Sequence, residues 1–125
     1  MPGDSVAMQL GDTFILGAGG HLWIVISDPP QHNGHFIIVN LTTDVFRAGK
    51  ECELNIGDHQ WITEKCYVTF GDARKVSPKE AATIMSYMAS GVVTKHFPMR
   101  LAVLQKIIAA GKTSKALPTG FLAYL

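Results

Sequence analysis

Histidine is the first residue type to consider for chemistry in this sequence, because an imidazole exchanges protons near neutral pH and often binds metals. The chain has five histidines, and His59 has the most suggestive surroundings. It stands in Gly57-Asp58-His59-Gln60-Trp61, between a predicted turn and an aromatic-apolar pair. Two interpretations stay open: a binding or acid/base role, and a structural imidazole that hydrogen-bonds backbone at the end of a loop.

A zinc site is the first alternative to consider for the other histidines. His32 and His35 form a close pair, and Cys52 and Cys66 would complete a Cys2His2 set. Structural zinc sites draw two ligands from one tight knuckle, whereas these cysteines stand far apart with no knuckle around either. We therefore expect no metal site, and two buried thiols that serve as small apolar side chains.

Hydroxyl side chains end the two strongest predicted strands, at Ser27 and at Thr42-Thr43. Such groups can donate to a phosphate or a carbonyl, although threonine is also a favoured strand residue. No phosphate-binding G-x-x-x-x-G-K-[ST] loop, C-x-x-C or H-E-x-x-H motif is present. These absences exclude the common nucleotide triphosphatases, dithiol oxidoreductases and zinc hydrolases, and we expect no cofactor.

Charge is distributed unevenly, although the formal net charge is only +1. Residues 1–80 hold 6 basic and all 10 acidic residues, a net charge of −4, whereas residues 81–125 hold five basic residues and no acidic one. The basic segment is either the solvated face of a helix or a surface for phosphate or an acidic partner. The candidate contacts for RNA or a partner are Ser27, Lys65, Lys95 and Arg100.

Length and composition indicate one globular domain, since 125 residues with 47% hydrophobic side chains can bury a substantial core. Two cysteines cannot build a disulfide framework, which favours a reducing compartment. No apolar run reaches the roughly 20 residues of a membrane span, and Met1 to Gln9 lacks the pattern of a signal peptide. We therefore expect a cytoplasmic protein without membrane contact.

The elements that must position these side chains are predicted to be strands first and helices afterwards. Short apolar runs at 13–16, 21–26, 36–41, 52–54 and 67–76, with Gly71 as a bulge, predict a small curved barrel over about residues 10–76. The capping box Ser77-Pro78-Lys79-Glu80 begins a helix that ends near Ala89, and a second helix is predicted from Pro98 to Gly111. The fold class is thus mainly β with two C-terminal helices.

An apolar tail closes the chain over residues 112–125. Phe121, Leu122, Tyr124 and Leu125 are too apolar to be left in water without a partner. The tail packs either on its own domain, the favoured alternative, or on a second subunit.

The order of these pieces resembles the MazF/PemK family of toxin ribonucleases over about residues 10–90. The resemblance is carried by Gly11-Asp12 before the first strand, a glycine loop ending in Gly20-His21, and the strand 23–27. It is also carried by Thr42-Thr43 after the next strand and by Cys66-Tyr67-Val68 before a capped helix. The resemblance implies an SH3-like barrel, a homodimer, a partner antitoxin and single-stranded RNA as substrate.

The resemblance also implies roles for particular residues. RNA cleavage by the 2′-hydroxyl needs a proton acceptor, a stabiliser of the phosphorane charge and a proton source. The family uses the arginine of G-H-R-P and the hydroxyl after the third strand, but Leu22 and Trp23 stand at the Arg-Pro positions here. Thr42 or Thr43 carries over, and His21, His59 or Arg47 would replace the arginine.

Three functions follow from these observations. The first is a toxin that cleaves RNA without a metal, with His21 and His59 as acid/base candidates, Thr42 and Thr43 on the phosphate and Arg47 as charge stabiliser. The second is a non-catalytic SH3-like module that binds a protein or a nucleic acid. The third is an unrelated barrel that binds a small molecule.

Overall fold

A curled antiparallel sheet forms the framework of the molecule. The computed structural model describes residues 7–16 and 20–125, so Gly17 to Gly19 of the predicted glycine loop lie outside the described residues. The strands are β1 (Thr13–Ile15), β2 (Leu22–Val25), β3 (Phe36–Thr42), β4 (Glu53–Leu54), β5 (Cys66–Val76) and β6 (Thr94–His96). Their spatial order is β4-β5-β3-β2-β1-β6, so the strands pair as a sheet with edges at β4 and β6.

The two central strands are covered on both faces, as their nearly continuous apolar sequences predict. Every residue of β2 and of β3 is buried. Ile24, Ile37 and Val39 belong to the larger core on one face of the sheet, whereas Trp23 and Ile38 belong to a smaller core on the other face.

The helices cover both faces of this sheet. They are α1 (Val45–Ala48), α2 (Pro78–Ala89) and α3 (Leu101–Thr113). The predicted capping box is confirmed, because Ser77 and Glu80 bond each other's backbone N–H groups at the start of α2. Side chains of α3 join the larger core and side chains of α2 join the smaller one.

Two details after residue 76 differ from the sequence prediction. The second long helix runs from Leu101 to Thr113 rather than from near Pro98 to Gly111. Residues 94–96 form β6 at the sheet edge, which nothing in the sequence indicated because Thr94-Lys95-His96 is short and not apolar.

A bulge of several residues interrupts β5 at the predicted position. Ile38 pairs with Arg74 while Asn40 pairs with Thr69, so residues 70–73 stand opposite a single β3 residue, Val39. The extra residues around Gly71 push the chain out of the sheet plane.

The apolar tail packs on its own domain, as favoured by the sequence. Leu117, Phe121, Tyr124 and Leu125 contact the larger core. Gly111 of α3 permits this approach, since a Cβ there would lie 2.9 Å from Leu125 Cδ1 and 3.1 Å from Phe70 Cε1. None of the helices in the described part of the chain has the length and apolar character that a membrane span requires.

Candidate functional site

An open pocket of about 460 Å³ lies on the sheet face that carries the smaller core. Residues from β2, β3, α1 and the β5 bulge meet there. The lining residues are Leu16, Gly20, His21, Trp23, Asn40, Arg47, Gly71, Asp72, Ala73 and Arg74. The sequence prediction named two of them, His21 and Arg47, and the structure places both in this one pocket.

His21 forms a hydrogen bond that fixes its tautomer. Its Nδ1 lies 2.9 Å from the carbonyl oxygen of Leu41. A carbonyl oxygen can only accept, so Nδ1 carries a proton and donates it. No protein group among the described residues hydrogen-bonds to Nε2, which in the neutral ring is an acceptor. His21 can therefore take a proton from a ligand.

Arg47 lies on the short helix α1 and reaches the pocket from its rim. Asp44 begins this helix, and its side chain accepts hydrogen bonds from the N–H groups of Phe46 and Arg47. The Arg47 guanidinium forms an ion pair with Asp72 of the β5 bulge. Because both side chains are substantially exposed, the pair is screened by water and contributes little to stability. It does hold the guanidinium over the pocket.

Arg74 is a second cation at the site. It follows the bulge in β5, and its guanidinium carbon lies 5.0 Å from the centroid of the Trp23 ring. Stacking on an indole holds a guanidinium in place while its N–H groups stay available to acceptors. With His21 neutral, the charged lining residues Arg47, Arg74 and Asp72 sum to +1, which suits an anionic ligand.

His59 has different surroundings. It is buried, and its Nδ1 accepts from the N–H of Trp61 at 3.0 Å. Its Nε2 lies 2.6 Å from the carbonyl oxygen of Phe97 and therefore donates to it. Both ring nitrogens are used, which favours the structural interpretation left open by the sequence. The imidazole ties the loop before β5 to the segment after β6.

The predicted hydroxyl contacts do not share the open pocket. Ser27 is buried and accepts from the N–H of Ile37 at 2.7 Å, so it lies apart from the pocket and its predicted ligand contact stays a prediction. Thr42 is buried and accepts from the N–H of Asp44 at 3.1 Å, next to the start of α1. Thr43 is exposed and lines a separate cavity with Trp61 and Cys66.

The predicted basic contacts also lie outside the lining of the pocket. Each one faces a carboxylate: Lys65 pairs with Glu53 at 3.7 Å, Lys95 with Asp12 at 3.8 Å and Arg100 with Asp58 at 3.6 Å. Arg100 lines a separate cavity with His59. The cations at the pocket are Arg47 and Arg74 instead.

Cys52 and Cys66 are buried free thiols in the larger core. Burial raises the pKa of each thiol from 9.0 to about 11. Among the described residues, no cluster of three or more histidine, cysteine, aspartate or glutamate side chains has the arrangement of a metal site. The cysteines thus pack as apolar side chains.

Sequence reasoning missed three residues of the pocket: Asn40, Asp72 and Arg74. Asn40 had a signal, since it is a polar residue in an otherwise apolar strand. Asp72 and Arg74 follow Gly71 directly, and a bulge is a known way to aim side chains at a site. That these residues face His21 and Arg47 depends on the pairing of β5 with β3.

Comparison with solved structures shows that the fold occurs in other proteins. The chain is similar to a structure described as an endoribonuclease from Mycobacterial species, with a TM-score of 0.57 and 18% sequence identity over 90% of this chain and 94% of the other. At this identity the likeness establishes a shared fold. No protein-family model matches the sequence, and no curated protein matches it either.

Proposed function

We propose that this protein is an RNA-cleaving toxin whose active site is the pocket of His21, Arg47 and Arg74. The observation that carries the proposal is the meeting, in one open pocket, of two guanidinium groups and an imidazole whose Nε2 bonds no protein group in the described part of the chain. The fold shared with an endoribonuclease supports the same substrate class. More specifically, we propose a toxin of the MazF/PemK type that cleaves RNA without a metal. Its curled sheet would correspond to the SH3-like barrel of that family.

The reaction needs no group beyond those in the pocket and water. His21 Nε2 accepts the proton of a ribose 2′-hydroxyl, and the 2′-oxygen attacks the adjacent phosphorus. The bond from phosphorus to the 5′-oxygen breaks, and water at the open mouth supplies the proton to that oxygen. The hydroxide left behind takes the proton from His21, which restores the neutral imidazole and the water. The products are a 2′,3′-cyclic phosphate and a 5′-hydroxyl end.

The arginines stabilise the charge that develops on the phosphoryl oxygens. Guanidinium groups suit this task, because their N–H donors match phosphate geometry and keep their charge. Arg74 is braced by Trp23 and Arg47 by Asp72. The resemblance expects an arginine at position 22, but Leu22 stands there and is completely buried. Arg47 and Arg74 would take over the role of that arginine.

The role proposed for Thr42 is to position Arg47 rather than to contact phosphate. Its hydroxyl accepts from the backbone of Asp44, which begins the helix that carries Arg47. His59 and Thr43 are not assigned to the reaction, because His59 has both nitrogens engaged and Thr43 faces another cavity.

The test is cleavage of a long, unstructured RNA by purified protein in EDTA, with the ends of the products identified by mass spectrometry. Wild type should release 2′,3′-cyclic phosphates, and His21→Ala and Arg47→Ala should not. His35→Ala and Arg100→Ala are matched controls, since neither residue lines the pocket. Activity that EDTA abolishes, or that His21→Ala retains, rejects the mechanism.

The second candidate is a non-catalytic module that binds single-stranded RNA with the same pocket. Leu22 favours it, because the position of the family's arginine carries no polar group. The cleavage assay decides between the two: RNA binding with no cleavage by the wild type supports the module.

Partners are also proposed. We expect a homodimer, supported by the exposed apolar side chains Ile56, Phe97 and Leu101 rather than by the tail, which packs on its own core. Light scattering at micromolar concentration should report twice the chain mass.

An antitoxin with an acidic segment would neutralise the arginines of the pocket. Expression of the wild type should arrest growth, whereas expression of His21→Ala should not. Co-expression of the antitoxin with the wild type should relieve the arrest.

A further inference from the structure

The short helix that carries Arg47 is not held in place by buried side chains of its own. Helix α1 has four residues, none of them buried, and Phe46 is 98% exposed. A helix of this length does not persist on its own hydrogen bonds, so contacts with neighbouring parts of the chain must support it. Those contacts come from the two ends of α1 and from the Arg47 side chain.

The first end of α1 is bonded to β3. The Asp44 side chain accepts from the N–H groups of Phe46 and Arg47, and the N–H of Asp44 donates to the Thr42 hydroxyl. These bonds fix where the helix begins. A short helix anchored at one end can still tilt, so the position of Arg47 also depends on the chain that follows α1.

Glu51 supplies a second anchor, three residues after the end of α1. Its Oε1 accepts from the Ser114 hydroxyl at 2.6 Å, and its Oε2 accepts from the N–H of Lys115 at 2.8 Å. Ser114 Oγ also accepts from the N–H groups of Ala116 and Leu117. Hydrogen bonds to both carboxylate oxygens fix its orientation, so the loop after α1 is bonded to the apolar tail.

The same part of the apolar tail lies against the β5 bulge. Ala116 is close enough to Gly71 that a Cβ on that glycine would lie 3.9 Å from the Cβ of Ala116. Asp72 and Arg74 follow this glycine directly and line the pocket. Residues 114–117 therefore connect the loop after α1 with the segment that carries Asp72 and Arg74.

The two arginines of the pocket thus belong to separate segments whose spacing must be set. The ion pair between Arg47 and Asp72 also joins these segments, but water screens it. In the proposed reaction both guanidinium groups must reach one phosphoryl group, and small errors in such an arrangement slow a reaction strongly. The contact between Glu51 and the tail is a second link between the segments.

We propose that Glu51 is a positioning residue of the pocket. By bonding Ser114 and Lys115 it keeps α1 next to the β5 bulge, and this sets the position of Arg47 relative to Arg74. Glu51 does not line the pocket and touches no reacting group. The inference rests on the proposed function and adds a residue, outside the pocket, on which the reaction depends.

The experiment compares two substitutions that remove the same charge. Glu51→Ala loses both hydrogen bonds, whereas Glu51→Gln keeps an oxygen that can accept one of them. Ser114→Ala removes the contact from the side of the tail. Glu64→Ala is the matched control, since Glu64 is also an exposed glutamate and does not line the pocket.

Three quantities are measured for each variant. They are kcat and KM for RNA cleavage, the order of the Arg47 Nε–H group from ¹⁵N relaxation, and the melting temperature. The relaxation measurement reports on the position of Arg47 whether or not the protein cleaves RNA.

The expected result is a loss of rate and of order without a loss of fold. Glu51→Ala should lower kcat by about tenfold, leave KM within about threefold and make the Arg47 guanidinium more mobile. Glu51→Gln and Glu64→Ala should stay within about threefold of the wild type in kcat. Because the lost bonds are exposed, Glu51→Ala should shift the melting temperature by less than about 4 °C.

The contact between the two side chains is tested by combining the variants. Ser114→Ala should lower kcat as Glu51→Ala does, and the double variant should be about as slow as the slower single one, because both remove one contact. Losses in kcat that multiply would mean that the two residues act independently, which rejects the proposal.

Other outcomes also overturn the inference. An unchanged kcat in Glu51→Ala, an equal loss in Glu51→Gln, or a melting temperature lowered by more than about 10 °C each rejects the positioning role. Equal mobility of Arg47 in the wild type and Glu51→Ala, in a protein that cleaves RNA, rejects this inference alone. Arg47 mobilised only in Glu51→Ala and Ser114→Ala, in a protein that does not cleave, supports the positioning role and rejects the catalytic part of the proposed function.

Discussion

His21 and His59 show how the same side chain is used in two regions of one small fold. Each ring has one nitrogen that donates to a backbone carbonyl, that of Leu41 for His21 and that of Phe97 for His59. The second nitrogen differs: His59 Nδ1 accepts from Trp61, whereas no protein group among the residues described bonds Nε2 of His21, a residue that lines an open pocket. The comparison teaches that an imidazole is available for chemistry only where the fold leaves one nitrogen unused.

Replacement of His21 should therefore have the largest effect on activity. His21→Ala should lower the rate of RNA cleavage by about a hundredfold to ten-thousandfold, the usual loss for a general base, while the melting temperature changes little. The measurement pairs a single-turnover cleavage assay with thermal denaturation. If the variant cleaves at the wild-type rate, His21 takes no part in the mechanism, and His21 and His59 do not differ in function.

Replacement of His59 should show the opposite pattern. His59→Ala removes two partly buried hydrogen bonds and leaves the N–H of Trp61 without a partner, whereas the carbonyl of Phe97 still accepts from the Thr13 hydroxyl. The loss should destabilise the fold by about 1–3 kcal/mol. Urea denaturation measures this loss. Gln60→Ala, a substitution of the exposed residue next to His59, is the control. Full stability combined with lost cleavage would instead restore the acid/base role.

The strands around these histidines could be predicted because local sequence determines them. β2 and β3 are apolar runs bounded by turn residues, and the Ser77 capping box marks the start of α2 by itself. The edge strand β6 could not be predicted, because its pairing with β1 is decided by tertiary contacts and its own residues have little strand character.

The pocket was predictable only in part. His21 and Arg47 are of residue types that can carry chemistry, so the sequence and the resemblance could name them as candidates. The burial of Ser27 could not be predicted, because it comes with a hydrogen bond to Ile37 that forms only when the two strands pair. Arg74 reaches the pocket through the register of β5 beyond its bulge, and that register depends on partners distant in sequence.

The two buried cysteines near the His59 loop allow a test of how well that part of the core excludes water. The folded protein holds the pKa of Cys52 and Cys66 at about 11, above their usual 9.0. Between pH 9 and 11 the unfolded chain loses these protons first, so the free energy of unfolding should fall as pH rises, by up to about 3 kcal/mol per thiol. Urea titrations at several pH values measure this slope.

The control for the alkaline slope is the double variant Cys52→Ala/Cys66→Ala. Other groups titrate in the same range, and the variant retains them, so the difference between the two slopes belongs to the thiols. An identical slope in both proteins would mean that water reaches the thiols and that the His59 region is more open than its burial indicates.

Thr42 provides the smallest and most discriminating test, because two roles predict different losses for one hydroxyl. As a positioning residue it accepts from the N–H of Asp44 and helps to set the helix that carries Arg47. Thr42→Val should then destabilise the protein by about 1 kcal/mol, as losses at helix starts do, and slow cleavage less than about tenfold. The exposed Thr43→Val should change neither quantity. A loss of a hundredfold or more in Thr42→Val with Arg47 still paired to Asp72 would place the hydroxyl on the phosphate, and the active site would then extend from the His21 pocket to the end of β3.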